Sequence, residues 1–114
     1  MIKMTVFRDK AEKTLKGFTV EGHSGYGTEG GDIICAAISA TAYNALNGLE
    51  EISGLKGFYR IDEKGKIECM LPANAGTDHR TAATAETILR LTEIGFEQIA
   101  AEHGKYVSVE QKEI

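Results

Sequence analysis

Residues 2–7 alternate. Ile2, Met4 and Val6 fall on one side and Lys3 and Thr5 on the other, the period of two that predicts a half-buried strand. The polar run 9–13 reads as a hairpin turn, and 15–21, with Phe18 and Val20 two apart, predicts a second strand. The period then changes. Ile34, Ile38, Thr41, Ala45, Leu49 and Ile52 recur at spacings of three and four, which predicts one helix over 33–52 that stops at Gly54. Two short apolar runs, 58–61 and 67–71, flank the charged turn 62–66 and predict an antiparallel hairpin. Ile67, Cys69 and Leu71 share one of its faces. After Pro72 and a short loop, a second long helix is expected over 78–103. Its apolar stripe is Ala85, Ile88, Leu91 or Thr92, Gly95, Phe96 and Ile99, and Gly104 ends it. A short strand over 106–109 closes the pattern.

The order β-β-α-β-β-α-β predicts an α/β (α+β) two-layer sandwich, in which two long helices cover a mixed, mainly antiparallel sheet. The 114 residues are enough for one domain, expected over 1–109, with 110–114 as a frayed tail. No internal repeat is visible.

Composition narrows the function classes. A hydrophobic fraction of 42% and a charged fraction of 26% are those of a soluble globular chain. No apolar run is long enough for a signal or a membrane span, and two cysteines do not make a secreted disulfide scaffold, so a cytoplasmic, reducing setting is expected. A net charge of −4 speaks against direct nucleic-acid binding and for a basic partner. Cys35, Cys69, His23, His79 and His103 have no metal-ligand spacing, so no metal is expected.

The chain has 13 glycines and one proline, and five of the glycines lie between Gly22 and Gly31. Gly25-Tyr26-Gly27-Thr28-Glu29-Gly30 matches G-x-G-x-x-G between a strand and a helix. A dinucleotide site also needs a parallel crossover and an acidic residue at the end of the next strand, about 20 residues on. Here that distance falls inside the helix, and Glu29 and Asp32 would face a pyrophosphate. A phosphate-binding P-loop fails as well, because Gly31 and Asp32 stand where Lys and Ser or Thr are required. No cofactor is therefore expected.

The residues flanking the glycines suggest other chemistry. His23 ends a strand and Cys35 lies in the first turn of a helix, twelve residues later. A thiol reacts as thiolate, and a helix N-terminus favours an anion through its dipole and its orphan N–H groups. A nearby imidazole can take the thiol proton and return it to a leaving amine, while the backbone donors of Cys35 and Ala36 could hold an oxyanion. The plain alternatives are a Cys35 packed as a small core residue beside Ile33, Ile34 and Ala36, and a His23 that only hydrogen-bonds at the surface. Cys69, alternating with Ile67 and Leu71, reads as strand core.

Taken together, Gly22-His23-Ser24-Gly25-Tyr26 and Asp32-Ile33-Ile34-Cys35-Ala36-Ala37-Ile38-Ser39 resemble the signature of the ribosomal-processing cysteine proteases, the Prp or YsxB-like family. The opening strand, Gly17-Phe18, Asn47-Gly48-Leu49-Glu50 and the total length fit that family too. The resemblance implies a cytoplasmic cysteine endopeptidase, typically a homodimer. Its substrate would be the N-terminal extension of large-subunit ribosomal protein number twenty-seven, removed during ribosome maturation. His23 matches the family's catalytic histidine and Cys35 its nucleophile; Asp32 and Ser39 match positions near the site. Asp32 is then either the helix cap or the group that orients His23. Ser39, one turn beyond Cys35, bonds either the dyad or a carbonyl of its own helix. The segment with Gly22, Gly25, Tyr26, Gly27, Gly30 and Gly31, richer in glycine than the family's usual loop, is expected to gate the substrate, with Tyr26 touching peptide or anchoring the loop. The competing class is a non-catalytic ribosome-assembly binding module, in which the acidic chain holds a basic ribosomal protein without cutting it.

Overall fold

The alternation at the N-terminus forms the first two strands, β1 (Ile2–Arg8) and β2 (Leu15–Gly22), an antiparallel pair in which Met4 faces Val20 and Val6 faces Phe18. The computed structural model describes residues 1–22, 33–76 and 78–114. Helix α1 (Ile33–Glu51) follows, then β3 (Tyr59–Ile61) and β4 (Ile67–Met70), a 3-10 turn at Ala73–Gly76, helix α2 (His79–Glu102) and β5 (Val107–Glu113).

The five strands lie in the order β3-β4-β2-β1-β5. Only β1 and β5 are parallel, so the sheet is mixed and mainly antiparallel, with both helices on one face. That face carries Ile2, Met4, Val6, Phe18, Val20, Ile67, Cys69 and Val107, all buried. Phe18 meets Phe96 of α2 edge-on at 5.5 Å between centroids, the geometry that aromatic quadrupoles favour. Full burial of side chains of this size is worth about 1.5–3 kcal/mol each.

Local chemistry sets the helix ends. Asp78 caps α2, accepting from the Arg80 N–H at 3.1 Å and the Thr81 hydroxyl at 2.9 Å. At the end of α1 the N–H of Leu55 reaches back to the Leu49 carbonyl and that of Gly54 to the Glu50 carbonyl. Gly54 takes φ +72, the left-handed residue of an αL cap. The turn leaves Ile52 exposed, so the stripe of α1 is Ile34, Ile38, Ala42, Ala45, Leu46 and Leu49, not one that includes Thr41 and Ile52. On α2 the buried line is Ala85, Leu89, Thr92, Glu93 and Phe96, while Leu91 faces solvent.

The expected frayed tail is a strand. Residues 110–113 continue the parallel ladder opposite Thr5 to Arg8, and Arg8 and Ile114 bond backbone to backbone at 2.9 Å. A side-chain cluster reinforces the end of this ladder. Glu93, 2% exposed, accepts two bonds from the Arg8 guanidinium at 2.6 and 2.7 Å, one from Arg90 at 2.7 Å and one from the Gln111 amide at 2.6 Å. Arg8 also donates to Gln111. Gly22, grouped with the loop by sequence, is the last residue of β2, held in register with Ile2.

Candidate active site

Ile34 and Ile38 point into the core and fix how the first turns of α1 lie on the sheet. That rotation places Cys35 and Ser39 half-buried on the flank of the helix. Together with Tyr43 they follow the i, i+4, i+8 spacing of one helical face and wall a cavity of about 190 Å³. Its floor is apolar, made by Ile2, Val20, Ile38 and Ile67 from three strands and the helix. The end of β2, at Glu21 and Gly22, and the β3–β4 turn, at Lys64 and Gly65, complete the rim. A thiol in such a place is sheltered from bulk water on one side and open to a ligand on the other, which suits attack on a carbonyl.

Two glycine positions hold the rim. Gly22 has φ +93, and a Cβ there would stand 2.4 Å from the Met1 carbonyl oxygen, so no other residue fits without moving the strand pair. Gly65 has φ +86 in the β3–β4 turn. Asp62 organises that turn: its Oδ1 accepts the N–H groups of Lys64 and Lys66, both at 2.9 Å, and its own N–H reaches the Lys66 carbonyl at 3.0 Å. These backbone donors, Lys66 first, hold the Asp62 carboxyl below the usual carboxylate range. The turn is thereby fixed with Lys64 at the cavity mouth.

The second cysteine is sealed in the sheet. Cys69 is 1% exposed in β4, and burial pushes its thiol up to about 12, only partly countered by a bond to the Phe18 backbone. It is strand core, as its alternation with Ile67 predicted. A wider, shallower hollow of about 430 Å³ lies between Phe7, Thr19 and Met70, but Cys69 is its only cysteine.

Cys35, Ser39 and Gly22 therefore converge on one cavity. His23, Gly25, Tyr26, Gly27, Gly30, Gly31 and Asp32 lie outside the described residues. Among the described residues no three His, Cys, Asp or Glu side chains could hold a metal ion, and no helix is long and apolar enough to cross a membrane. Sequence reading missed Tyr43 and Lys64. The eight-residue step from Cys35 would have found Tyr43; Lys64 enters only through the pairing of β3 with β4.

Comparison with known proteins extends this picture. A family model described as cysteine protease Prp matches residues 1–108. A curated relative, the ribosomal processing cysteine protease Prp of Bacillus subtilis (strain 168), is 29% identical over 65 residues, which is 57% of this chain. The match spans 57% of that relative's length. Among solved structures, SMU.848 from Streptococcus mutans superposes with a TM-score of 0.81 at 24% identity, covering 100% of this chain and 96% of the other. The essential ribosomal processing protease Prp from S. aureus, in complex with a covalently linked product peptide, gives a TM-score of 0.79 at 22% identity, covering 98% and 100%. At these identities the two structures share the fold.

Proposed function

The chain belongs to the cysteine protease Prp family, and from that membership we propose that it is a cysteine endopeptidase with Cys35 as nucleophile and His23 as its proton partner. The observation that carries the reading is the half-buried Cys35, at the start of α1 on an open cavity, set against a second thiol sealed in the core.

The thiolate sulfur of Cys35 attacks the scissile carbonyl carbon after His23 has taken the thiol proton. The helix dipole favours both the thiolate and the oxyanion that forms next, and the backbone N–H groups of Cys35 and Ala36 serve the oxyanion. The tetrahedral intermediate collapses as the C–N bond breaks, and His23 gives its proton to the leaving amine. A water then attacks the thioester, passing its proton to His23, and the peptide leaves as a carboxylate while the thiol is restored. In this scheme Asp32 caps α1 or orients His23, and Ser39 supplies a hydroxyl one turn from the sulfur.

The substrate we assign is the N-terminal extension of large-subunit ribosomal protein number twenty-seven, cut by a homodimer. The resemblance of the His23 and Cys35 segments to the family signature supports this assignment, as does the name of the B. subtilis relative. Intact-mass analysis of the extended ribosomal protein after incubation tests it. One defined N-terminal loss with wild-type protein, absent with Cys35→Ala, is expected; an uncleaved substrate would remove the assignment.

A further inference from the structure

Strand β3 lies at the edge of the sheet, next to β4, whose Ile67 lines the Cys35 cavity. The N–H of Met70 bonds the Phe58 carbonyl and that of Asp62 bonds the Lys66 carbonyl. In an antiparallel ladder the residues between alternate, so Arg60 also turns its backbone toward β4, while Tyr59 and Ile61 turn their N–H and C=O groups outward. Their side chains share the helix-covered face, because Tyr59 stands opposite Cys69 and Ile61 opposite Ile67. The helices do not reach that far, and Tyr59 and Ile61 are 39% and 40% exposed. Ile67, the cross-strand partner of Ile61, is part of the cavity floor, so the apolar shelf of Ile61 and Tyr59 lies one strand over from the cavity that holds Cys35.

The opposite edge is unlike this one. Residues 110–113 of β5 are Glu, Gln, Lys and Glu, and Lys3–Glu110 and Lys13–Glu113 ion pairs lie along it, the charged blunting usual for an edge that must not pair. On β3 the only charge is Arg60, on the other face and paired with Glu68 at 3.4 Å.

Resting on the protease reading, we propose that the free edge of β3 at Tyr59 and Ile61 is a docking strand for the substrate, pairing with an extended peptide segment that places an apolar side chain over Ile61. Neighbouring strands are about 4.8 Å apart, so a peptide running from the cavity floor at Ile67 to the outer side of β3 covers two such spacings, about three extended residues, before it pairs. The recognised segment is thus separated from the cleaved bond. An edge only three residues long is too small for a lasting subunit contact but sufficient for a peptide already tethered at the thiol.

The test compares a long peptide, carrying at least seven residues on each side of the cleaved bond, with a short one carrying two. Wild-type protein is expected to favour the long peptide by about tenfold in kcat/KM, the value of one to two added hydrogen bonds with apolar contact. Ile61→Asp, or methylation of the long peptide's flanking backbone nitrogens, is expected to bring that preference to within about twofold, whereas Ile61→Val retains it. A wild-type protein without preference, or Ile61→Asp with the tenfold preference intact, overturns the proposal and leaves the protease reading standing. The proposal is equally overturned if Ile61→Asp turns a dimer into a monomer in sedimentation while the preference persists, since the edge then belongs to a second copy. If neither peptide is cut, the protease reading falls. Calorimetric binding of the long peptide to Cys35→Ala then decides the edge alone: weaker binding by Cys35→Ala/Ile61→Asp supports it, and equal binding overturns it.

Discussion

Ser39 stands one helical turn beyond Cys35, and the two side chains line the same cavity over a floor of Ile2, Val20 and Ile67. A hydroxyl so placed can bond the sulfur or the proton-carrying imidazole as charge develops. Ser39→Ala is expected to lower kcat about 10- to 100-fold, the value of one such bond, with KM changed little. Steady-state kinetics on a cleavable peptide check this. Unchanged kcat would leave Ser39 as a helix residue bonded to its own backbone.

The two cysteines differ in access and in chemistry, which gives a test independent of any substrate. Iodoacetamide at neutral pH is expected to label Cys35 about a hundredfold faster than Cys69, whose thiol is sealed in the sheet and pushed up to about 12. Peptide mapping after timed quenching reads the two rates. Equal, slow labelling would favour the non-catalytic binding module instead.

Glu93 ties α2 to both β1 and β5. The Arg8 guanidinium, more than the bonds from Gln111 and Arg90, brings its carboxyl from the ordinary 4.5 down to about 2, against the upward pull of burial. A carboxylate depressed in the folded state contributes stability above its unfolded value and loses it as pH falls through the folded one. Glu93→Gln, which leaves Arg8 unneutralised, is expected to cost about 3 kcal/mol at pH 7. The gap to wild type should narrow as pH falls from 4.5 toward 2. Urea unfolding at a series of pH values measures both.

Glycine substitutions separate backbone need from packing room. Gly22→Ala puts a methyl 2.4 Å from the Met1 carbonyl at φ +93, and is expected to cost about 1–3 kcal/mol. Gly48→Ala sits inside α1 with its new methyl 3.7 Å from Ile88, an ordinary contact, and is expected to stabilise by about 0.5–1 kcal/mol. Thermal unfolding of the two variants reads the opposite signs.

The periodic parts of the fold were legible in the sequence because burial imposes a period. Alternation at Ile2, Met4 and Val6 marked β1, three-four spacing marked α1 and α2, and the charged turn marked the β3–β4 hairpin. Three features escaped for physical reasons. Residues 110–113 are polar, so nothing local marked them as strand; the parallel ladder with β1 and the Glu93 cluster hold them. Glu93 reads as a surface residue until Arg8, 85 positions away, meets it. Lys64 reaches the Cys35 cavity only because β4 packs beside β2 and carries the β3–β4 turn with it, a long-range pairing with no local signature. Within the candidate site the sequence pointed to Cys35 through its place in the first turn of a helix and to Ser39 through the family resemblance, and one cavity takes in both.

Of the two cysteines, Cys35 alone is assigned the reaction. Cleavage rates of Cys35→Ala and Cys69→Ala, measured beside wild type on the same extended peptide, test this most directly. Loss of cleavage to the uncatalysed background in a folded Cys35→Ala protein, with cleavage retained in Cys69→Ala, is the predicted result. A Cys35→Ala protein that still cuts the peptide at a wild-type rate would contradict it.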